Sequence, residues 1–270
     1  MMMKPFVMTF AIFMTVIDAQ TTPTPTPFPI EAPIPLTSPL VNVSSIPIFQ
    51  NCTLPYQVSL TFDDGPTNMT GQILDILKHH NVSATFFING LHTVDEGLWA
   101  VTERIYNENH ILGTHTFSHP ALSKINDFNI ERELMDNELI IRMITNKRPS
   151  FFRPPYFDYN DHIISIVKTF GYSLALANLD TEDWLTQNST EIYDVINSKI
   201  NQQFGGSFVV LQHAQIPETV AVLSQIITWI QSQGFEIVPL DVCTGINRYQ
   251  PDNLYGPFML NGVAWNGSLK

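Results

Sequence analysis

The chain has 270 residues, 44% of them hydrophobic, enough for one sizeable core. Its 13 Lys and Arg stand against 25 Asp and Glu, a formal net charge of −12. That balance argues against a nucleic-acid binder, because phosphate backbones favour Lys and Arg, and it gives no basic patch for an anionic membrane.

Residues 1–19 have the form of a signal peptide. Lys4 supplies the positive end, residues 6–17 are an apolar run too short to span a bilayer comfortably, and Ala19 suits the last position before cleavage, although Ile17 is bulky for its place. A retained membrane anchor is the alternative; stable membrane insertion is not expected. Residues 20–49 are rich in Pro and Thr and prefer extended polyproline geometry, so they read as a spacer open to O-glycosylation. The folded unit is expected over residues 50–245, followed by a polar tail at 246–270 with no lipid-anchor signal. Sequons at Asn42, Asn51, Asn68, Asn81, Asn188 and Asn266 corroborate a secretory route to the cell exterior or wall. Cys52 and Cys243 are the only cysteines. In an oxidising compartment they can staple the two ends of the folded unit; two free thiols are the alternative.

Within the folded unit, strand and helix patterns alternate. Strands are expected at 58–62, 84–88, 111–114, 150–153, 173–177, 207–211 and 235–238. Helices are expected at 71–80, with Thr70 as cap, and at 96–109, 130–145, 161–170, 190–203 and 217–233. Repeated βα units predict an α/β fold, a distorted (β/α) barrel of about seven parallel strands, complete or incomplete, with an open doubly wound sheet as the alternative.

Chemistry in such folds collects at the C-terminal ends of the strands. Asp63 and Asp64 end the first strand in TFDDGP, and His115 and His119 follow the third in THTFSHP. Arg153 ends the fourth in FFRPPY, Asp180, Asp183 and Trp184 follow the fifth in NLDTEDW, and His213 ends the sixth in VVLQHA. His115 and His119, four apart, would share one face of a helical turn. With one of the two aspartates they make three ligands, which with water is the pattern of a catalytic zinc-type site. The other aspartate would then be a general base. Arg153 can hold that base ionised, His213 can protonate a leaving group with Asp183 supporting its charge, and Trp184 offers an apolar wall or a sugar-stacking face. Each has a plainer reading, as an ion-pair partner or a core residue. His79, His80, His92, His110 and His162 show no partners in the sequence, and Glu131, Glu133, Asp136 and Glu138 read as a solvated helix face.

TFDDGP, HTFSH, RPPY, DTEDW and LQH, in that order, resemble the five motifs of the polysaccharide deacetylases, the NodB-homology or family-4 carbohydrate esterases. The resemblance covers roughly residues 50–245 and is strongest to fungal-type chitin deacetylases, whose flanking cysteine pair Cys52 and Cys243 match. It implies Asp63 as general base, Asp64, His115 and His119 as metal ligands, Arg153 as the residue orienting the base, and His213 as acid with Asp183 as its partner. It further implies an oxyanion contact from the Tyr156 backbone N–H and a methyl pocket from Trp184 and Leu211. The cofactor implied is one divalent ion, zinc in the usual case and cobalt in some members. The implied activity removes N-acetyl groups from N-acetylglucosamine polymers, chitin above all. A wall-binding member without turnover and an esterase on acetylxylan or peptidoglycan are the other readings. The last motif departs from the fungal Leu-Ser-His-Asp, reading Leu211-Gln212-His213-Ala214. The sequence carries no signal of oligomeric state.

Overall fold

The computed structural model describes residues 46–94 and 96–251, with two short strands at 259–260 and 263–264. The leader, most of the spacer, Asn42, Asn266 and most of the tail lie outside the described residues. In chain order the strands are β1 (Ile48–Phe49), β2 (Gln57–Gly65), β3 (Thr85–Ile88), β4 (Ile111–Thr114), β5 (Arg148–Pro149), β6 (Phe151–Phe152) and β7 (Ser173–Ala175). They continue as β8 (Leu179–Asp180), β9 (Phe208–His213), β10 (Glu236–Ile237), β11 (Tyr249–Gln250), β12 (Met259–Leu260) and β13 (Val263–Ala264). The helices are α1 (Thr70–His79), α2 (Gly90–Thr93), α3 (Glu96–Asn107), α4 (Asp127–Thr145), α5 (Asp161–Thr169), α6 (Asp183–Thr186), α7 (Ser189–Gln202), α8 (Pro217–Ser232) and α9 (Leu240–Thr244).

The main sheet is parallel throughout, in the order β1-β7-β6-β4-β3-β2-β9-β8. β10 pairs with the first residues of β2, and β3 with its later ones. Among the described residues no ladder joins β1 to β8, so the sheet is a curled half-barrel. Residues 176–178 cross the open side: Leu176 N–H donates to Phe49 O at 2.7 Å and Asn178 N–H to Val209 O at 3.3 Å. β5 and β11 form a separate antiparallel pair, as do β12 and β13. Ile48 and Phe49, which the sequence places in the spacer, pair with β7. β1 and β8 have two residues each, too short to leave a periodic signal.

Strands covered on both faces need apolar residues on both. On the outer face Leu60 and Phe62 of β2 and Phe208 and Val210 of β9 pack against Ile73 and Leu77 of α1 and Leu223 and Ile227 of α8. On the inner face Phe87, Ile111, Phe151 and Val209 meet Val238, Leu240 and the two cysteines. Each such aliphatic side chain contributes about 1.5–3 kcal/mol on burial, and truncating one to Ala costs about 2–5 kcal/mol. Cys52 and Cys243 are joined in a disulfide, their Cα atoms 4.5 Å apart, closing a separation of 191 residues.

Capping explains several helix boundaries. α4 begins at Asp127, before the apolar pattern starts, because Asn126 accepts from Asn129 N–H at 3.0 Å; Asn160 and Asn188 cap α5 and α7 in the same way. Thr70 is not a cap. It is the first residue of α1, and its Oγ1 accepts from Thr67 N–H at 2.8 Å. The α4 carboxylate row is only in part a solvated face: Glu131 is exposed, but two of its members are not solvated side chains. Glu138 is buried, takes two bonds from Arg148 at 2.7 and 3.0 Å and one from Tyr172 Oη at 2.6 Å. Glu133 binds the loop after β4 through Ser118. Among the described residues no helix is long and apolar enough to cross a membrane.

Candidate active site

β2 continues through Asp63, Asp64 and Gly65 because β9 keeps pairing with it, Asp63 in register with His213. Alternation along β2 turns Thr61 and Asp63 into the half-barrel. There Arg153, wholly buried, reaches them: its Nη1 donates to Thr61 Oγ1 and to Asp63 Oδ1, both at 2.7 Å. Nε donates to Ala175 O (2.9 Å) and Nη2 to Leu176 O (3.1 Å), and the group lies 4.2 Å from the centroid of the Phe87 ring. Burial pulls this guanidinium's pKa below its ordinary value, against the opposing pull of Asp63. Asp63 Oδ2 is left facing His115, 3.7 Å from its Nε2.

Asp64 faces the histidines. Its Oδ1 lies 3.5 Å from His115 Nε2 and 3.2 Å from His119 Nε2. The two histidines are not on a helical turn, as their spacing suggests, but in the loop after β4, with Thr116 and His119 both in the left-handed region at φ 69° and 63°. The loop is shaped by bonds the sequence does not display. His119 N–H donates to Thr116 Oγ1 at 3.1 Å, Asn89 Nδ2 donates to His115 O at 2.9 Å, and Ser118 donates through N–H and Oγ to Glu133 at 2.7 and 2.5 Å.

One ligand atom from each of Asp64, His115 and His119 lies within 4.8 Å of the others. His115 Nδ1 is 2.7 Å from Arg153 O. A carbonyl only accepts, so Nδ1 carries a proton, and Nε2 is the ring nitrogen turned toward the carboxylate. Asp64 Oδ1 is itself buried and accepts no hydrogen bond. Lone pairs facing one another at this range are satisfied by a cation, so the donors fit a divalent ion.

Across the rim, Asp183 is fully buried and holds His213. Its Oδ1 is 2.6 Å from His213 Nδ1 and accepts Trp184 N–H at 2.9 Å, while Oδ2 accepts His213 N–H at 2.8 Å and Thr219 Oγ1 at 2.6 Å. Burial pulls the imidazole pKa down, but the bond to Asp183 and its charge, aided by Asp63 and Asp64, raise it to about 8. Nδ1 is engaged, so Nε2 is the atom available to the site. Leu211 is buried two residues before His213 in β9, and Trp184 is half-exposed in α6. Tyr156 is exposed in a turn after β6 at φ 59°, its ring 4.7 Å from that of His119. Asp180 stands apart, facing solvent and accepting Glu182 N–H at 2.9 Å. Asp64, Thr116, His119, Tyr156 and Glu182 all hold left-handed backbone. Such strain costs on the order of 1–3 kcal/mol a residue and gathers at functional sites.

Four of the other histidines have polar partners, and the ring of His79 packs edge-on against that of His80. His80 Nε2 is 2.7 Å from Ser224 Oγ, His162 Nε2 is 2.8 Å from Asp127, and His92 Nδ1 is 3.2 Å from Asp64 O. His110 Nδ1 accepts Ala84 N–H at 3.1 Å, and burial pushes its pKa down to about 4. Thr61, Asn89, Glu133, Gln215 and Thr219 carry no sequence signal, since each acquires its role only through a partner distant in the chain.

A parallel half-barrel thus carries a carboxylate–diimidazole set and two separate carboxylate pairs, Asp63 with Arg153 and Asp183 with His213, on one rim. A family profile, Polysaccharide deacetylase, matches residues 50–175. A chitin deacetylase of Colletotrichum lindemuthianum is 33% identical over 218 residues, covering 77% of this chain and 86% of that one. A solved chitin deacetylase from that organism superposes with TM-score 0.72 at 29% identity, over 78% of this chain and 96% of that one. A chitin deacetylase of Arthroderma benhamiae is 32% identical over 211 residues, 76% of this chain but only 57% of the relative's own length. A peptidoglycan-N-acetylglucosamine deacetylase of Bacillus cereus is 34% identical over 189 residues, 68% of this chain and 66% of that one. The chain belongs to the polysaccharide deacetylase family.

Proposed function

We propose that this protein hydrolyses the N-acetyl groups of N-acetylglucosamine polymers, with chitin as substrate and acetate as released product. The observation that carries the reading is the division of the acidic pair: Asp64 faces two imidazoles, while Asp63 is bound by a buried guanidinium. Asp64, His115 and His119 would hold one divalent ion, zinc by donor type and cobalt as an accepted substitute. Such an ion polarises the amide carbonyl and acidifies a water.

The chain's own groups do the rest. Asp63, oriented by Arg153, takes the proton of the attacking water as the new C–O bond forms. The Tyr156 backbone N–H meets the developing oxyanion. His213, protonated at Nε2, gives its proton to the amide nitrogen as the C–N bond breaks, freeing a sugar amine and acetate, and Asp183 stabilises the imidazolium. Leu211 and Trp184 enclose the acetyl methyl. A peptidoglycan substrate is the second reading, favoured by the Bacillus cereus relative.

The leader, the Pro/Thr-rich spacer and the sequons support a secreted, extracellular or wall-associated glycoprotein whose catalytic unit runs from β1 through β11. Asn51, Asn68, Asn81 and Asn188 are exposed.

Acetate release from chitohexaose and from a panel of acetylated wall polymers, with zinc content measured in parallel, tests the activity. Steady metal-dependent release from chitohexaose is expected. A zinc-loaded protein releasing none would leave only a carbohydrate-binding role, the reading prompted by Gln212 and Ala214.

A further inference from the structure

The two oxygens of the Asp64 carboxylate have different surroundings. Oδ1 faces His115 and His119, is buried, and accepts no hydrogen bond. Oδ2 accepts Gln215 Nε2 at 2.8 Å. The backbone of Asp64 is left-handed at φ 60°, a conformation uncommon outside glycine though one that aspartate tolerates better than most residues. The start of the segment that carries Gln215 is anchored beside the acidic pair, because Ala214 N–H donates to Asp63 O at 2.9 Å.

We propose that Gln215 is a positioning residue for the cation, acting through Asp64. By occupying Oδ2 it leaves Oδ1 as the single carboxylate donor, so Asp64 ligates through one oxygen and the ion is drawn toward the two imidazoles. A neutral amide suits this role, since it donates as Lys or Arg would but adds no positive charge to repel the ion. The proposal rests on the metal reading above.

Zinc is stripped from the full protein with a chelator and titrated back against a competing indicator, for wild type and Gln215→Ala. The variant should bind zinc about 10–100-fold more weakly. The visible absorption band of the cobalt-loaded variant should differ from that of wild type, because the carboxylate is free to rotate. Equal zinc affinity in the two proteins overturns the proposal. Should Gln215→Ala also lower the melting temperature of the metal-free protein, the cobalt band decides: a changed band supports positioning and an identical one overturns it. If wild type binds no divalent ion, the metal reading itself fails, an outcome distinct from equal affinity.

Discussion

Asp63 and His213 are register partners on the neighbouring parallel strands β2 and β9. The proposed proton acceptor and donor are thus set by one ladder, whose strands lie about 4.8 Å apart. Each then has its own buried counter-ion, Arg153 for Asp63 and Asp183 for His213. These separate partners hold the two side chains apart as distinct pairs.

The division of the acidic pair gives opposite outcomes for near-identical substitutions. Asp63→Asn should retain zinc and lose about 10²–10⁴-fold in kcat, the usual contribution of a general base. Asp64→Asn should lose zinc affinity. Metal analysis and acetate assays on both variants check this, and normal turnover by Asp63→Asn would remove the base assignment.

His213 must be protonated to act as the acid, and its pKa stands at about 8. Activity should therefore be full below that value and fall as pH rises through it. Asp183→Asn removes the charge that raises the pKa, leaving burial to lower it, so the basic limb should move down in pH and kcat should drop. The sign for stability is the same. A histidine raised above its ordinary value contributes stability that is complete below about 6.5 and lost as pH climbs through about 8. Urea unfolding at pH 6 and pH 9, in wild type and Asp183→Asn, checks that part.

Arg153 serves Asp63 and two backbone carbonyls at once. Arg153→Met leaves a buried carboxylate without its counter-charge, at a cost of about 3–5 kcal/mol. Arg153→Lys keeps the charge but not the planar fork, so it should recover part of the stability and little of the rate. Denaturant midpoints set beside kcat separate the two effects.

The disulfide joins the chain on either side of the half-barrel, remote from the rim. Replacing both cysteines by serine should cost about 2–5 kcal/mol and leave zinc affinity unchanged. A melting curve and a zinc titration on the double variant are the measurements.

Much of the rim was legible in the sequence because parallel βα units place chemistry at strand ends, so Asp63, Asp64, Arg153 and His213 could be located from strand pattern, whereas Asp183 sits in α6 after the two-residue β8, which leaves no periodic signal. The loop of His115 and His119 was not. A four-residue spacing suggests a helical turn, and only the left-handed residues and the bonds from Asn89 and to Glu133 show how a loop brings the rings together. Glu138 was misplaced for a related reason. On a helix rich in carboxylates a buried one looks like its neighbours, and Arg148 and Tyr172, which neutralise and bind it, arrive from other elements.

Arg153 clasps the carbonyls of Ala175, at the end of β7, and Leu176, where the chain starts across the gap in the sheet, and with the same planar group it holds Asp63. The seam of the half-barrel and the aim of the base are therefore mechanically one object. A substitution that loosens residues 175–178, none of which takes part in the proposed chemistry, should blunt turnover before it unfolds the protein.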